Sequence, residues 1–179
     1  MIIKPLKKNS EFVAFVNSIN LKDKLNKSEI DILQKSIDKF GVLVFRNQTL
    51  TDDEQVKFSE YFGNIEHSGK NSNITKVNDR RLSTKLADVS NIDKKSNLFR
   101  ENDPRRIFNL GNRLWHSDSS FKKIPAKYSL LSSKTIVKKG GNTEFSDMRL
   151  AYENLEDDVR NKIETLYCEH SLISLTIGC

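Results

Sequence analysis

A histidine and an aspartate separated by one residue are the side chains of this chain that most directly suggest chemistry. They are His116 and Asp118, within the run LWHSDSSFK at residues 114–122. On an extended strand, residues i and i+2 point to the same face, so one divalent metal ion could bind both side chains. Two ligands on one face leave the opposite coordination positions open, as in the 2-His-1-carboxylate sites of non-haem Fe(II) oxygenases. The pair therefore predicts a metal site whose third ligand lies elsewhere.

The tripeptide alone is a weak signal, because short motifs often occur by chance and a strand histidine is more often packed than metal-bound. Its surroundings are longer and more specific. Residues 109–155 contain LWHSDSSF, then PAKYSLLS and GGNTEFSDMRLAY, and this run resembles the core of the TauD/TfdA family of Fe(II)- and 2-oxoglutarate-dependent dioxygenases. Within the family it is closer to the 2,4-dichlorophenoxyacetate dioxygenase branch. Residues 41–66 and LADVSNI at residues 86–92 resemble the family in the same order, so the likeness covers nearly the whole chain.

The resemblance implies roles for four residues. His116 and Asp118 would be two of the three iron ligands, the hydroxyl of Thr143 would help to hold the 2-oxoglutarate carboxylate, and Asn112 would line the cosubstrate and substrate pocket. The family completes its site with a second histidine and an arginine, whose planar fork binds the far carboxylate of 2-oxoglutarate. The sequence ends at Cys179 before either, which leads us to expect an N-terminal fragment.

Two other histidines and two cysteines are further possible ligands. His67 lies beside a turn-like Ser-Gly pair, and His170 follows a predicted helix, so we expect neither to complete the triad. Cys168 and Cys179 form no C-x-x-C pattern, and neither a disulfide framework nor a zinc site is expected from them.

The resemblance implies an α+β, mainly β fold: a double-stranded β-helix, which is jelly-roll-like, with flanking helices and with its closing strands missing. We expect residues 1–179 to form a single dioxygenase domain of this kind, incomplete at the C-terminus. The sequence pattern predicts strands at Leu114–Ser117, Tyr128–Val137 and Thr143–Ser146, with a tight turn at residues 140–142.

Helices are predicted from capping residues and from apolar positions spaced three to four apart. Residues 70–106 are polar and are expected to form loops around the pocket mouth, broken by a strand-like stretch at 83–92. The remaining predicted elements are a helix at Ser28–Lys39 capped by Ser28, a strand at Val42–Phe45, a helix capped by Thr51, a helix at Met148–Asn154 capped by Asp147, and a helix at Asp157–Tyr167.

Composition favours a globular protein with an ordinary core. Hydrophobic residues make up 36% of the 179 residues, and the chain contains 10 phenylalanines. The net charge is +6, but the lysine pairs are scattered and interleaved with acidic residues, so no nucleic-acid partner is expected. No apolar run approaches the roughly 20 residues that a membrane span requires, so no membrane partner is expected and the cytoplasm is the default location.

The implied function is hydroxylation of a small anionic substrate, aryloxyalkanoate-like or sulfonate-like, with Fe(II), 2-oxoglutarate and O2, and with release of succinate and CO2. A different hypothesis is an inactive remnant or binding protein that retains the fold. A zinc hydrolase built on the same H-x-D ranks lower, because no general base or third ligand is evident. The chain could also form a homo-oligomer.

Overall fold

A computed structural model describes residues 1–8, 10–67 and 75–170 of the chain. The chain divides into two compact units, of which the first comprises Met1–Phe62 and Leu131–Cys168. The second comprises Gly63–Leu130 with the residues from Glu169 onward. No helix within the described ranges is long and apolar enough to cross a membrane.

A three-stranded sheet organises the first unit. Its strands are β1 (Ile2–Pro5), β2 (Val13–Asn17) and β3 (Val42–Phe45), in the order β1-β2-β3. Strand β1 pairs antiparallel with β2, and β2 pairs parallel with β3. Helix α1 (Lys27–Phe40) connects the parallel pair, as a crossover between parallel strands requires. The prediction of β3 is therefore confirmed, whereas β1 and β2 were not predicted.

The buried core lies between the sheet and two helices, α1 and α2 (Asp52–Glu60). Leu33 of α1 and Val16 of β2 are the largest fully buried side chains, at 1% and 2% exposure. The Phe58 ring meets the rings of Phe45 and Phe62 edge-on, with centroids 5.8 and 5.3 Å apart. Such edge-to-face pairs add to the free energy gained by burying the rings.

Side-chain caps determine where these helices begin. Thr51 caps α2 as predicted, because its hydroxyl accepts from the backbone N–H of Glu54 and the Glu54 carboxylate accepts from the Thr51 N–H. Helix α1 begins earlier than predicted: Asn26, two residues before the predicted cap, forms the same reciprocal pair with Glu29. Ser28 is therefore inside the helix, because an earlier side chain already satisfies the first free N–H groups.

Two cations attach the later segment of the first unit to its core. The Arg149 guanidinium donates to the Asp38 and Lys39 carbonyls at the C-terminal end of α1, at 3.0 Å each. Lys134 donates to the Leu50 carbonyl at 2.7 Å and lies 3.2 Å from the Asp52 carboxylate. Carbonyls at a helix end attract a cation, so Arg149 suits its position.

Short helices complete the described elements. The second unit contains α3 (Pro104–Leu110) and single 3-10 turns at Val77–Asp79 and Gly111–Arg113. Asn109 of α3 donates to the Ser90 carbonyl at 2.8 Å, which attaches this helix to the preceding loop. In the first unit, Asp147 caps α4 (Met148–Glu153), as predicted, and α5 spans Asp157–Ile163 within the longer helix that was predicted there.

The strands predicted at Leu114–Ser117, Tyr128–Val137 and Thr143–Ser146 are wrong for this structure, because these segments have no strand pairing. The strand-like stretch at 83–92 likewise contributes only one isolated bridge, between Ile92 and Leu98. An apolar or alternating pattern indicates an extended backbone, but a strand also requires a partner for its N–H and C=O groups. Part of the predicted 70–106 loop, residues 70–74, lies outside the described residues.

Burial is unevenly distributed along the chain. The buried apolar side chains of the described residues all lie between Ala14 and Phe58, and no described side chain after Phe58 is buried. Large apolar groups are instead exposed in the later segments, including Trp115 at 69% and Ile136 at 88%. Such a quantity of exposed apolar surface is typical of a surface that contacts another surface.

Candidate metal centre

The H-x-D pair lies at the start of a turn. His116 follows the 3-10 turn at Gly111–Arg113, and Asp118 opens a turn in which Ser119 has a φ of 58°. The His116 Nε2 atom lies 3.3 Å from the Asp118 Oδ1 atom. The two side chains therefore meet as expected, although residues 114–117 have no strand partner.

The other ring nitrogen of His116 has a definite partner. His116 Nδ1 lies 2.7 Å from the backbone carbonyl oxygen of Leu114. A carbonyl oxygen can only accept, so Nδ1 must carry the proton of this hydrogen bond. The other ring nitrogen, Nε2, faces the Asp118 carboxylate. Metal-binding histidines commonly have this arrangement, with one nitrogen donating to a backbone carbonyl and the other available to the ion.

The carboxylate of Asp118 is also oriented by a neighbour. The hydroxyl of Ser129 donates to Asp118 Oδ2 at 2.6 Å. A short O–H···O⁻ bond of this length is among the stronger hydrogen bonds in proteins. Because Oδ2 is occupied, Oδ1 is the atom that faces His116. The Asp118 side chain is 58% exposed and that of His116 is 36% exposed, so both can be reached from solvent.

Glu66 supports the turn from a distant part of the chain. The Ser119 hydroxyl lies 3.0 and 2.9 Å from the two oxygens of the Glu66 carboxylate, and Lys122 forms an ion pair with the same group. Partial burial alone would raise the pKa of Glu66. The hydrogen bonds and charge of Lys122, with the Ser119 bond, outweigh this effect and hold the pKa below its ordinary value of 4.5. Glu66 is therefore ionised at neutral pH.

The donor set and its spacing fit a divalent metal ion. Two atoms that bind one ion at about 2.1 Å in adjacent positions lie about 3 Å apart, close to the observed separation. One imidazole nitrogen and one carboxylate oxygen are ligands that Fe(II) accepts in oxygenases. Within the described residues, no third histidine, cysteine, aspartate or glutamate joins the pair. The pair could thus supply two ligands, and a metal centre would need at least one more.

The remaining candidate residues are each described by their own surroundings. Asn112 is exposed within the 3-10 turn that precedes His116. Thr143 is exposed in the irregular segment before α4, within the first unit. His67 Nδ1 lies 3.3 Å from the Thr84 hydroxyl, and His170 is exposed. The Cys168 thiol is exposed, while Cys179 lies outside the described residues.

A cleft of about 280 Å³ is present in the first unit. It is lined by residues 21–24, 54, 57, 58 and 61, which include three lysines and two acidic residues. Its charges therefore largely balance, and its lining contains neither His116 nor Asp118. His116 and Asp118 are both exposed, and neither of them lines this cleft.

Comparison with known proteins identifies the class to which this chain belongs. Residues 3–174 match the model of the taurine catabolism dioxygenase TauD, TfdA family, and the chain is a member of that family. It is similar to the alpha-ketoglutarate-dependent 2,4-dichlorophenoxyacetate dioxygenase of Cupriavidus pinatubonensis, with 38% identity over 162 residues, 89% of this chain and 55% of that protein. It is also similar to the (S)-phenoxypropionate/alpha-ketoglutarate-dioxygenase of Sphingobium herbicidovorans, with 31% identity over 92% of this chain and 52% of that protein.

A solved structure gives the same result. The crystal structure of AAD-2 in complex with Mn(II) and N-oxalylglycine superposes with a TM-score of 0.85 and 40% identity. The alignment covers 99% of this chain and 59% of that chain. This chain therefore spans about half the length of the curated relatives that it matches. The family resemblance seen in the sequence is confirmed.

Sequence reasoning missed the residues that orient the pair. Glu66 and Ser129 lie 53 residues before Ser119 and 11 residues after Asp118, so no local spacing connects them to the motif. Both lie within the blocks that resemble the family, Glu66 as the last residue of 41–66 and Ser129 within PAKYS. Their position in these family-like segments was the signal in the sequence, but the resemblance assigned no role to either residue.

Proposed function

We propose that this chain is part of a non-haem Fe(II)- and 2-oxoglutarate-dependent dioxygenase that hydroxylates a small anionic substrate. The observation that carries the proposal is the His116–Asp118 pair. Its Nε2 and Oδ1 atoms lie 3.3 Å apart, in a chain that belongs to a dioxygenase family. His116 and Asp118 would hold the iron, Thr143 would contribute a hydroxyl to the 2-oxoglutarate carboxylate, and Asn112 would line the pocket.

The proposal extends to the architecture. Residues 1–179 would belong to one TauD/TfdA-like domain whose complete core is a double-stranded β-helix. The superposition on AAD-2 over 99% of this chain supports this proposal. So do the exposed apolar side chains after residue 58, which further strands of such a core would cover.

Iron with bound 2-oxoglutarate supplies the oxidation: one oxygen atom of O2 enters the substrate as a hydroxyl, and the other enters succinate as CO2 is released. The residues of this chain would orient that centre. Leu114 keeps the His116 proton on Nδ1, and Ser129 keeps Oδ1 of Asp118 turned towards Nε2. The names of the relatives support phenoxy carboxylates as the substrate class, and the family name adds sulfonates such as taurine. A net charge of +6 would favour the approach of either anion.

A metal-binding protein without turnover is the second candidate. It is favoured by one observation, that only two ligands meet within the described ranges. Two ligands hold a divalent ion less firmly than three, so the ion is lost more easily.

One assay separates these candidates. The protein that contains this chain is mixed with Fe(II), ascorbate, 2-oxoglutarate and either a phenoxyacetate or taurine, and both succinate and bound metal are measured. The variant His116→Ala tests the metal ligand, and His170→Ala is the matched control at an exposed histidine. Succinate that depends on iron and on His116, but not on His170, supports the dioxygenase. Metal binding that depends on His116 without succinate supports the second candidate, and loss of neither property in His116→Ala overturns both.

A further inference from the structure

Glu66 joins two side chains of the turn that follows the metal pair. Its carboxylate accepts the Ser119 hydroxyl on both oxygens, and it forms an ion pair with Lys122, 56 residues further along the chain. The side chains of Glu66 and Lys122 are about one-third exposed, so water only partly screens the pair. This contact joins residues 119–122 to Glu66 within the second unit.

Ser119 requires this support because of its backbone. Its φ of 58° lies in the left-handed region, which residues other than glycine adopt only at a cost in free energy. The turn is closed by a hydrogen bond from the Lys122 N–H to the Ser119 carbonyl, at 2.9 Å. Ser119 directly follows Asp118, so a change in the Ser119 backbone reorients the Asp118 carboxylate. The hydroxyl contact with Glu66 stabilises the unusual conformation from outside the turn.

Glu66 also pairs with an ammonium group that lies close to Asp118 in the chain. Lys122 lies four residues after Asp118, and its charge is directed to Glu66. Without Glu66, the Lys122 ammonium would be able to pair with the Asp118 carboxylate. A lysine bound there would compete with a metal ion for the same oxygen atoms.

We propose that Glu66 is a positioning residue for the metal centre, which holds the Ser119 turn and keeps Lys122 away from Asp118. The proposal rests on the proposed function, since it requires His116 and Asp118 to bind a metal ion. Glu66 itself is not a ligand in this proposal: it acts through Ser119 and Lys122. Removal of groups that orient metal ligands typically weakens metal binding 10- to 100-fold, and an effect of about tenfold is expected for Glu66.

The test is a Co(II) titration followed by Trp115 fluorescence. Trp115 is the single tryptophan of the chain and directly precedes His116, so a paramagnetic ion bound there should quench its emission. Glu66→Ala is expected to raise the Co(II) dissociation constant about tenfold. The matched control is Glu101→Ala, at a carboxylate that is 96% exposed and lies 4.0 Å from Arg106. The dissociation constant of this control is expected to stay close to that of the unaltered chain.

Two second-site variants distinguish positioning from a general loss of structure. Glycine enters the left-handed region without the cost that serine bears, so Ser119→Gly should restore part of the affinity in the Glu66→Ala background. Lys122→Met in the same background should also restore affinity, because it removes the competing ammonium. Rescue of metal affinity by either change, in a Glu66→Ala chain whose circular dichroism matches that of the unaltered chain, supports the proposal.

Failure of this proposal is distinct from failure of the proposed function. If the unaltered chain binds Co(II) through His116 and Glu66→Ala binds it equally well, or if neither second-site change restores lost affinity, the role of Glu66 is overturned. If His116→Ala and the unaltered chain give the same titration, the metal centre itself is overturned, whatever the result for Glu66.

Discussion

His116 Nε2 faces Asp118 Oδ1 at 3.3 Å, and each side chain is held in this orientation by a separate hydrogen bond. Leu114 accepts from His116 Nδ1 at 2.7 Å, and Ser129 donates to Asp118 Oδ2 at 2.6 Å. The two atoms left facing each other are a ring nitrogen and a carboxylate oxygen. This arrangement is what a divalent metal ion requires of its first two protein ligands.

The Ser129 hydroxyl should contribute to metal affinity. In Ser129→Ala the Asp118 carboxylate loses its 2.6 Å donor and can rotate away from His116. The Co(II) dissociation constant is expected to rise by about tenfold, as for other groups that orient ligands. Ser133→Ala is the control, because the Ser133 hydroxyl lies 3.5 Å from the Thr135 carbonyl, away from both ligands in the chain. Equal affinities for the two variants would show that Ser129 does not orient the carboxylate.

Gly41 should be intolerant of a side chain. It ends α1 with a φ of 71° and a ψ of −33°, and a Cβ atom there would lie 3.1 Å from an Arg149 nitrogen and 3.3 Å from the Phe12 ring. Gly41→Ala is expected to lower the free energy of unfolding by about 1–3 kcal/mol, measured by urea denaturation. Gly111→Ala is the matched control: Gly111 has helical φ and ψ of −55° and −29°, and no atom lies within 4 Å of its added Cβ. A loss of equal size in both variants would contradict the role assigned to the Gly41 backbone.

Asp103 should titrate well below an ordinary aspartate. Hydrogen bonds from the Arg105 side chain, and then from its backbone N–H, outweigh desolvation and lower the pKa of Asp103 from 3.8 to about 2. The ionised form is therefore favoured in the folded chain. Its contribution to the stability of α3 is complete above about pH 4 and is lost as the pH falls through about 2.

A carboxyl-carbon NMR titration measures this pKa directly. The midpoint for Asp103 is expected near 2 in the unaltered chain, and it should move towards 3.8 in Arg105→Met. An Asp103 midpoint that does not respond to Arg105→Met would show that Arg105 is not what lowers this pKa.

The exposed apolar surface should make the 179-residue chain self-associate. Trp115, Ile124, Leu131 and Ile136 are between 67% and 88% exposed, whereas the buried core of the described residues ends at Phe58. Light scattering after size exclusion is expected to show a mass that rises with protein concentration. Substitution of Ile124 and Ile136 by serine should reduce that rise. A monodisperse monomer at all concentrations would show that these side chains do not drive association.

The elements that were predicted correctly depend on local chemistry. Thr51 and Asp147 cap their helices through side chains that bond backbone N–H groups two or three residues ahead, and such caps can be read from sequence. Strand β3 is a short apolar run next to Gly41. The strands that were predicted but not formed, such as Tyr128–Val137, depend on partners far away in the chain, which periodicity does not reveal.

The candidate site divides in the same way. The spacing of His116 and Asp118 predicted that they would meet, and they do, but no local pattern signalled the turn that follows, with its positive φ at Ser119. The contacts of Glu66 with Ser119 and Lys122 connect residues 53 and 56 positions apart. The iron and 2-oxoglutarate roles of His116, Asp118, Thr143 and Asn112 stay predictions.

The measurement that tests the central claim most directly is nitrogen-15 NMR of the histidine rings during titration with Zn(II), a diamagnetic substitute for Fe(II). The chain has three histidines, so the spectrum can be assigned with one variant of each. With Zn(II), the His116 Nε2 resonance should shift while Nδ1 keeps its proton, and Asp118→Ala should abolish the shift. No shift at His116, or a shift confined to His67 or His170, would contradict the claim that His116 and Asp118 form the metal centre.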